Sequence, residues 1–106
     1  MDIIKIDALI PTDDYKVYVL YENGKKYLYD ANRLVKRFNI LQDMDFFKNR
    51  CKVINDTLAW DIDGDMNEEN CIDIAPESIF NSEEITDEEL EDYLRNNGEC
   101  SNFGYA

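Results

Sequence analysis

The sequence predicts an α+β domain: a small antiparallel sheet built from two hairpins, with short helices packed on one side and an acidic C-terminal helix. Three observations predict it. Short apolar segments alternate at strand periodicity between turn residues, as in Tyr15 to Asp30. Asn23-Gly24 and Asn55-Asp56 mark where two such segments reverse. Asp30, Asp43 and Thr86 stand where helices need a capping oxygen. A chain of 106 residues suits one domain with a single modest core. Residues 1–80 are expected to form it, and residues 81–106 to add an acidic helical extension.

The first strand is expected over Ile3 to Ile10, closed by Pro11, with Thr12 to Asp14 turning into the hairpin. If Asn23-Gly24 forms a two-residue type I′ turn, Leu20 opposes Tyr27 and Tyr18 opposes Tyr29 on one side. Val19 then opposes Leu28 on the other. Both sides carry apolar groups, so one should pack on the domain's helices and the other be covered by the chain or a partner. Asp30 is placed to cap a helix through Arg37, with Leu34, Val35 and Phe38 inward. Asp43 can cap a second, Asp43 to Asn49, burying Met44, Phe46 and Phe47. The second hairpin, Cys51 to Trp60, has the less ideal turn sequence, and Trp60 should end it half-buried. Asp61 to Asn70 reads as an exposed acidic loop leading to the strand Cys71 to Ile74. Pro76 then begins a turn that brings Ile79 and Phe80 to the core. Thr86-Asp-Glu-Glu89 is a capping box flanked by Ile85 and Leu90 as a hydrophobic staple. Leu90, Tyr93 and Leu94 form a narrow apolar stripe on a helix expected to stop near Gly98.

Charge is distributed unevenly. Residues 1–52 carry ten basic residues against eight acids, whereas residues 53–106 carry sixteen acids and only Arg95, within a total of −13. An anionic half of this strength repels phosphate backbones, so direct nucleic-acid binding is not expected; its natural partner is a basic protein. No apolar run approaches a bilayer span, and Met1 to Lys5 lacks a signal-peptide pattern, so no membrane association and a cytoplasmic location are expected.

No motif names a reaction. The sequence has no histidine, and Cys51, Cys71 and Cys100 are widely spaced, so neither a zinc set nor an activated thiol is indicated and the cysteines read as reduced structural thiols. Alternating Asp61, Asp63, Asp65 and Asn67 suggest calcium, but glycine and the closing glutamate miss their EF-hand positions. No metal, cofactor or catalytic residue is assigned, and an enzyme is not expected. The residues expected to meet a partner are Asp61, Asp63, Asp65, Glu68 and Glu69 in the loop. From the last segment come Glu83, Glu84, Asp87, Glu88, Glu91, Asp92 and Tyr93.

Residues 15–80 resemble a bacterial family of unassigned function, domain of unknown function 2442. The resemblance lies in Val17-Tyr-Val-Leu-Tyr-Glu-Asn-Gly24, Asp30 with Leu34, Leu41-Gln-Asp43 with Phe46 or Phe47, Thr57-Leu-Ala-Trp60 and Ile72-Asp-Ile-Ala-Pro76-Glu-Ser-Ile-Phe80. It implies a small α+β domain, sometimes encoded in arrangements suggesting toxin-antitoxin pairs, and supplies no catalytic residues. This chain departs from the pattern at Asp61, where proline is usual, in its enlarged acidic loop and in its acidic segment from Asn81.

Three functional classes follow. The first is an acidic module that neutralises or inhibits a basic partner, itself a candidate nucleic-acid-binding protein, in the manner of an antitoxin, immunity protein or nucleic-acid mimic. There, Ile85, Leu90, Tyr93 and Leu94 would slow release. The second is a nucleic-acid or small-ligand binding regulatory domain using the tyrosines with Lys25 and Lys26. The third is a homodimer formed through the hairpin edge or the terminal helix.

Overall fold

The computed structural model describes residues 4–64 and 69–96. Strands Ile6–Pro11 (β1), Lys16–Tyr21 (β2) and Lys26–Asp30 (β3) form an antiparallel meander, to which Glu83–Ile85 (β7) adds at the far edge in the order β1-β2-β3-β7. Cys51–Ile54 (β4), Thr57–Asp61 (β5) and Cys71–Asp73 (β6) make a second antiparallel sheet. The α+β class holds, with the two hairpins in separate sheets that share one core. Helices Asn32–Arg37 (α1), Met44–Asn49 (α2) and Pro76–Phe80 (α3) contribute Val35, Phe47 and Ile79 to it. These pack with Val17, Val19 and Tyr27 of the first sheet and Leu58, Trp60 and Ile72 of the second.

The first hairpin differs from its expected turn. Gly24 alone takes a left-handed φ, 93°, and the loop has three residues: Gly24 N donates to Tyr21 O at 3.0 Å and Tyr21 N to Lys25 O at 2.9 Å. Asn23 spends its carboxamide oxygen on the N–H of Lys25, 3.0 Å away, a local bond that favours the longer loop. The register therefore moves by one residue. Tyr27 opposes Val19 and Tyr29 opposes Val17 on the core side, while Tyr18 and Leu28 pair on the other. The type I′ geometry appears at the second hairpin instead, where Asn55 (φ 55°) and Asp56 (φ 64°) join Ile54 directly to Thr57.

Other local expectations divide by how far their causes lie along the chain. The Asp43 carboxylate accepts from the N–H groups of Asp45 and Phe46, capping α2 as expected. Asp30 lies one residue too early to cap α1; it accepts instead from Asn32 N and Nδ2, which holds its carboxyl below the usual carboxylate range. Trp60 is fully buried rather than half-buried, because Nε1 donates to Phe47 O at 2.9 Å and the indole packs on the Phe47 ring. Phe38 and Phe80 remain exposed: the first lies beneath the Arg37 guanidinium, the second stacks on Tyr21. Tyr15 adopts φ 63°, held by its hydroxyl bond to Gln42 O at 2.6 Å and its edge-on contact with Phe47. On β1, the pairing shifts between Ile6 and Ala8, and the strand ends in Pro11.

Candidate functional site: an acidic face fixed on the sheet

The segment after Asn81 enters the fold as strand before it becomes helix. Lys26 pairs with Ile85, Tyr27 with Glu84 and Leu28 with Glu83, closing the edge of β3. Helix α4, Asp87–Asn96, starts immediately afterwards. Its capping box is formed: Thr86 N donates to Glu89 Oε2 at 3.0 Å, and Glu89 N to Thr86 Oγ1 at 3.2 Å. Ile85 and Leu90, the staple pair, are buried together with Tyr18. Ile10, Leu20, Leu28, Tyr93 and Leu94 pack around them, so the chain itself covers the outer face of the first sheet.

This docking settles where the apolar stripe goes. Tyr93 lies with its ring centroid 4.8 Å from that of Tyr18, half-buried against the sheet. Ile85, Leu90, Tyr93 and Leu94 are thus committed to the intramolecular contact, so they are spent before any partner arrives.

The acids point the other way. Glu83, Glu84, Asp87, Glu88, Glu91 and Asp92 are all exposed. Glu84 pairs with Lys25 at 3.8 Å, Asp87 pairs with Lys26, and Asp92 pairs with Arg95 at 2.9 Å. These exposed pairs are weak individually; Lys26–Asp87 links the start of β3 to the start of α4, and Lys25–Glu84 links the hairpin loop to β7. Glu83, Glu88 and Glu91 have no ion pair among the described residues.

Asp13 and Asp14, absent from the expected site, lie near enough to Tyr93 to act on it, although Asp13 pairs with Lys48 and Asp14 accepts from Thr12 Oγ1. Burial raises the Tyr18 phenol above its ordinary value, and the nearby Asp14, Glu83 and Glu89 carboxylates raise it further. Tyr93 is raised by burial, then by Asp13, Tyr18 and Asp14. The turn after β1 is therefore near Tyr93 of α4, a juxtaposition set by the pairing of β3 with β7, more than fifty positions apart, and without a local signature.

The loop acids separate. Asp61 belongs to β5 and is 2% exposed, with Oδ1 accepting from Gly64 N at 3.0 Å; it is a structural anchor rather than a contact residue. Arg50 secures the same corner by donating to the carbonyls of Asp61 and Ile62, both at 3.0 Å. Asp63 and Glu69 are exposed, and Asp63 accepts from Asn70. Asp65 and Glu68 lie outside the described residues. The loop springs from the second sheet and α4 from the outer face of the first.

Among the described residues, no group of three or more Cys, Asp or Glu could hold a metal ion, and no helix is long and apolar enough to cross a membrane. The Cys51 thiol is pushed up to about 12 by burial, opposite to what a nucleophile needs. No family model, curated protein or solved structure matches the chain.

Proposed function

We propose that this chain is a small acidic binding module that captures a basic protein partner and blocks it, as an antitoxin, immunity protein or nucleic-acid-mimicking inhibitor does. The observation that carries this reading is the docking of α4: its apolar stripe is used against the sheet, so its carboxylates are presented on a fixed surface. Asp87, Glu88, Glu91 and Asp92 of α4 form that surface with Glu83 of β7, whereas Glu84, next along the strand, faces the opposite side of the sheet. Preorganised charge steers a cationic partner to the face and spares the cost of ordering a flexible acidic tail. With the stripe inside, release is governed by polar contacts rather than by apolar anchors.

The module acts by occupancy in the cytoplasm, without a catalytic step, and a nucleic-acid-binding protein is the favoured class of partner. Kinship with domain of unknown function 2442, proposed on the sequence motifs, points the same way through the toxin-antitoxin arrangements of some members. The test begins with capture of the partner from the native host by the tagged chain, its identification, and calorimetry on the purified pair. Replacing Glu83, Glu88 and Glu91 by Lys should weaken binding by about tenfold or more, and rising salt should weaken the wild-type complex. Binding indifferent to both refutes the reading.

A further inference from the structure

The opposite charge is concentrated on α1. Arg33, Lys36 and Arg37 are exposed and line one shallow groove with Tyr29 and Leu34. Their spacings of three and four residues bring like charges together on a helical surface, an arrangement that costs stability. The C-terminal dipole offsets part of this for Lys36 and Arg37, but no acid lies in the helix's first turn. Among the described residues none of the three makes an ion pair, although the chain carries 24 acids. Lys25 and Lys26, by contrast, are taken up by Glu84 and Asp87.

Tyr29 is also a wall of an adjoining groove lined by Lys16, Leu28, Asp30, Ser82 and Glu83. The two grooves thus adjoin at Tyr29, with Arg33, Lys36 and Arg37 on one side and, on the other, Lys16 beside the oxygen acceptors of Asp30, Ser82 and Glu83. A ligand matching this polarity has a compact anionic head and, beyond it, hydroxyl groups that donate to carboxylates on a body with an apolar face. A long polyanion suits it poorly, because every further phosphate meets a chain of net charge −13.

We infer that the Tyr29–α1 groove binds a small phosphate monoester whose uncharged end carries hydroxyl groups. The phosphate sits among Arg33, Lys36 and Arg37, and the hydroxyl end lies across Tyr29 toward Asp30 and Glu83. Nucleotides and sugar phosphates share this chemistry. The groove shares Glu83 with the acidic face proposed for protein capture, while Arg33, Lys36 and Arg37 belong to the groove alone.

The test is calorimetric titration of the full chain with adenosine monophosphate, glucose phosphate and adenosine, repeated on the Arg33→Gln/Arg37→Gln double variant, with circular dichroism confirming its fold. At least one phosphate ester should bind saturably in the millimolar range or tighter, adenosine should not, and the variant should lose about tenfold or more in affinity. The relative affinities of the two esters tell a nucleotide source from a sugar source. Three results overturn the inference: neither ester saturates, the folded variant binds as well as the wild type, or a short oligothymidylate binds more tightly than both esters. Light scattering adds a fourth. Self-association that the same variant abolishes would assign the groove to the acidic face of a second copy.

Discussion

Leu90→Ala removes the central buried side chain of the contact that fixes α4 on the sheet. Leu90 is 7% exposed and shares its cluster with two other buried residues, Tyr18 and Ile85. Truncating a buried leucine costs about 2 to 5 kcal/mol, and a small cluster at the margin of a domain belongs near the low end, about 2 to 3 kcal/mol. The main core lies on the other face of the sheet and contains Trp60 but none of these residues. The loss should therefore be local, lowering the free energy of opening α4 far more than that of global unfolding. At 1.36 kcal/mol per factor of ten, the amides of α4 should exchange with solvent roughly 30- to 160-fold faster. The urea midpoint followed by Trp60 fluorescence should shift little. Hydrogen exchange read by NMR gives the first quantity and equilibrium denaturation the second. Unchanged exchange across Asp87–Asn96 would refute the docking of α4 through Leu90, and with it the fixed acidic surface.

Trp60→Phe should cost about 3 kcal/mol in urea denaturation, because it leaves a gap in a fully buried site and deprives the Phe47 carbonyl of its donor. A loss below about 1 kcal/mol would show that this hydrogen bond matters little. With its thiol pushed up to about 12, Cys51 should resist iodoacetamide at mildly alkaline pH in the folded chain and react promptly in urea; peptide mass spectrometry reads both. Equal labelling in the two states would contradict its burial. Tyr18, Tyr21, Tyr29 and Tyr93 are raised, each chiefly by burial, so the native state favours the neutral phenol. Their contribution to stability is complete below the unfolded value of about 10 and is lost as pH climbs through the higher folded values. Alkaline titration of tyrosinate absorbance should show these phenols ionising late and together with unfolding; early, independent ionisation would disagree.

What was legible in the sequence is what a few neighbouring residues decide. The Asp43 cap, the Thr86–Glu89 capping box, its staple and the β4–β5 hairpin all follow from contacts within a turn or two of chain. The register of the first hairpin was not legible, because Asn23 satisfies the two-residue turn rule equally well as an acceptor for Lys25 in a three-residue loop. For the candidate site, the exposure of the acids on β7 and α4 could be read from the capping box and the narrow stripe. The pairing of β7 with β3 could not, since a three-residue strand has almost no periodicity of its own. Asp61 looked like the start of a solvated loop; its burial depends on Arg50 and the Gly64 amide closing the corner around it. Asp13 and Asp14 come near Tyr93 only through folding.

The edges of the four-stranded sheet carry a consequence of their own. At one margin β1 ends in Pro11, which has no N–H to offer, and its pairing is already irregular near Ile6. At the other, β7 is a three-residue stopper bearing Glu83 and Glu84. A chain ending before Glu83 would leave the rim of β3 open beside a bare patch of Tyr18, Leu20 and Leu28, a ready template for strand-by-strand polymerisation. The acidic strand β7 therefore shields the rim of β3 from strand addition by another copy of the chain.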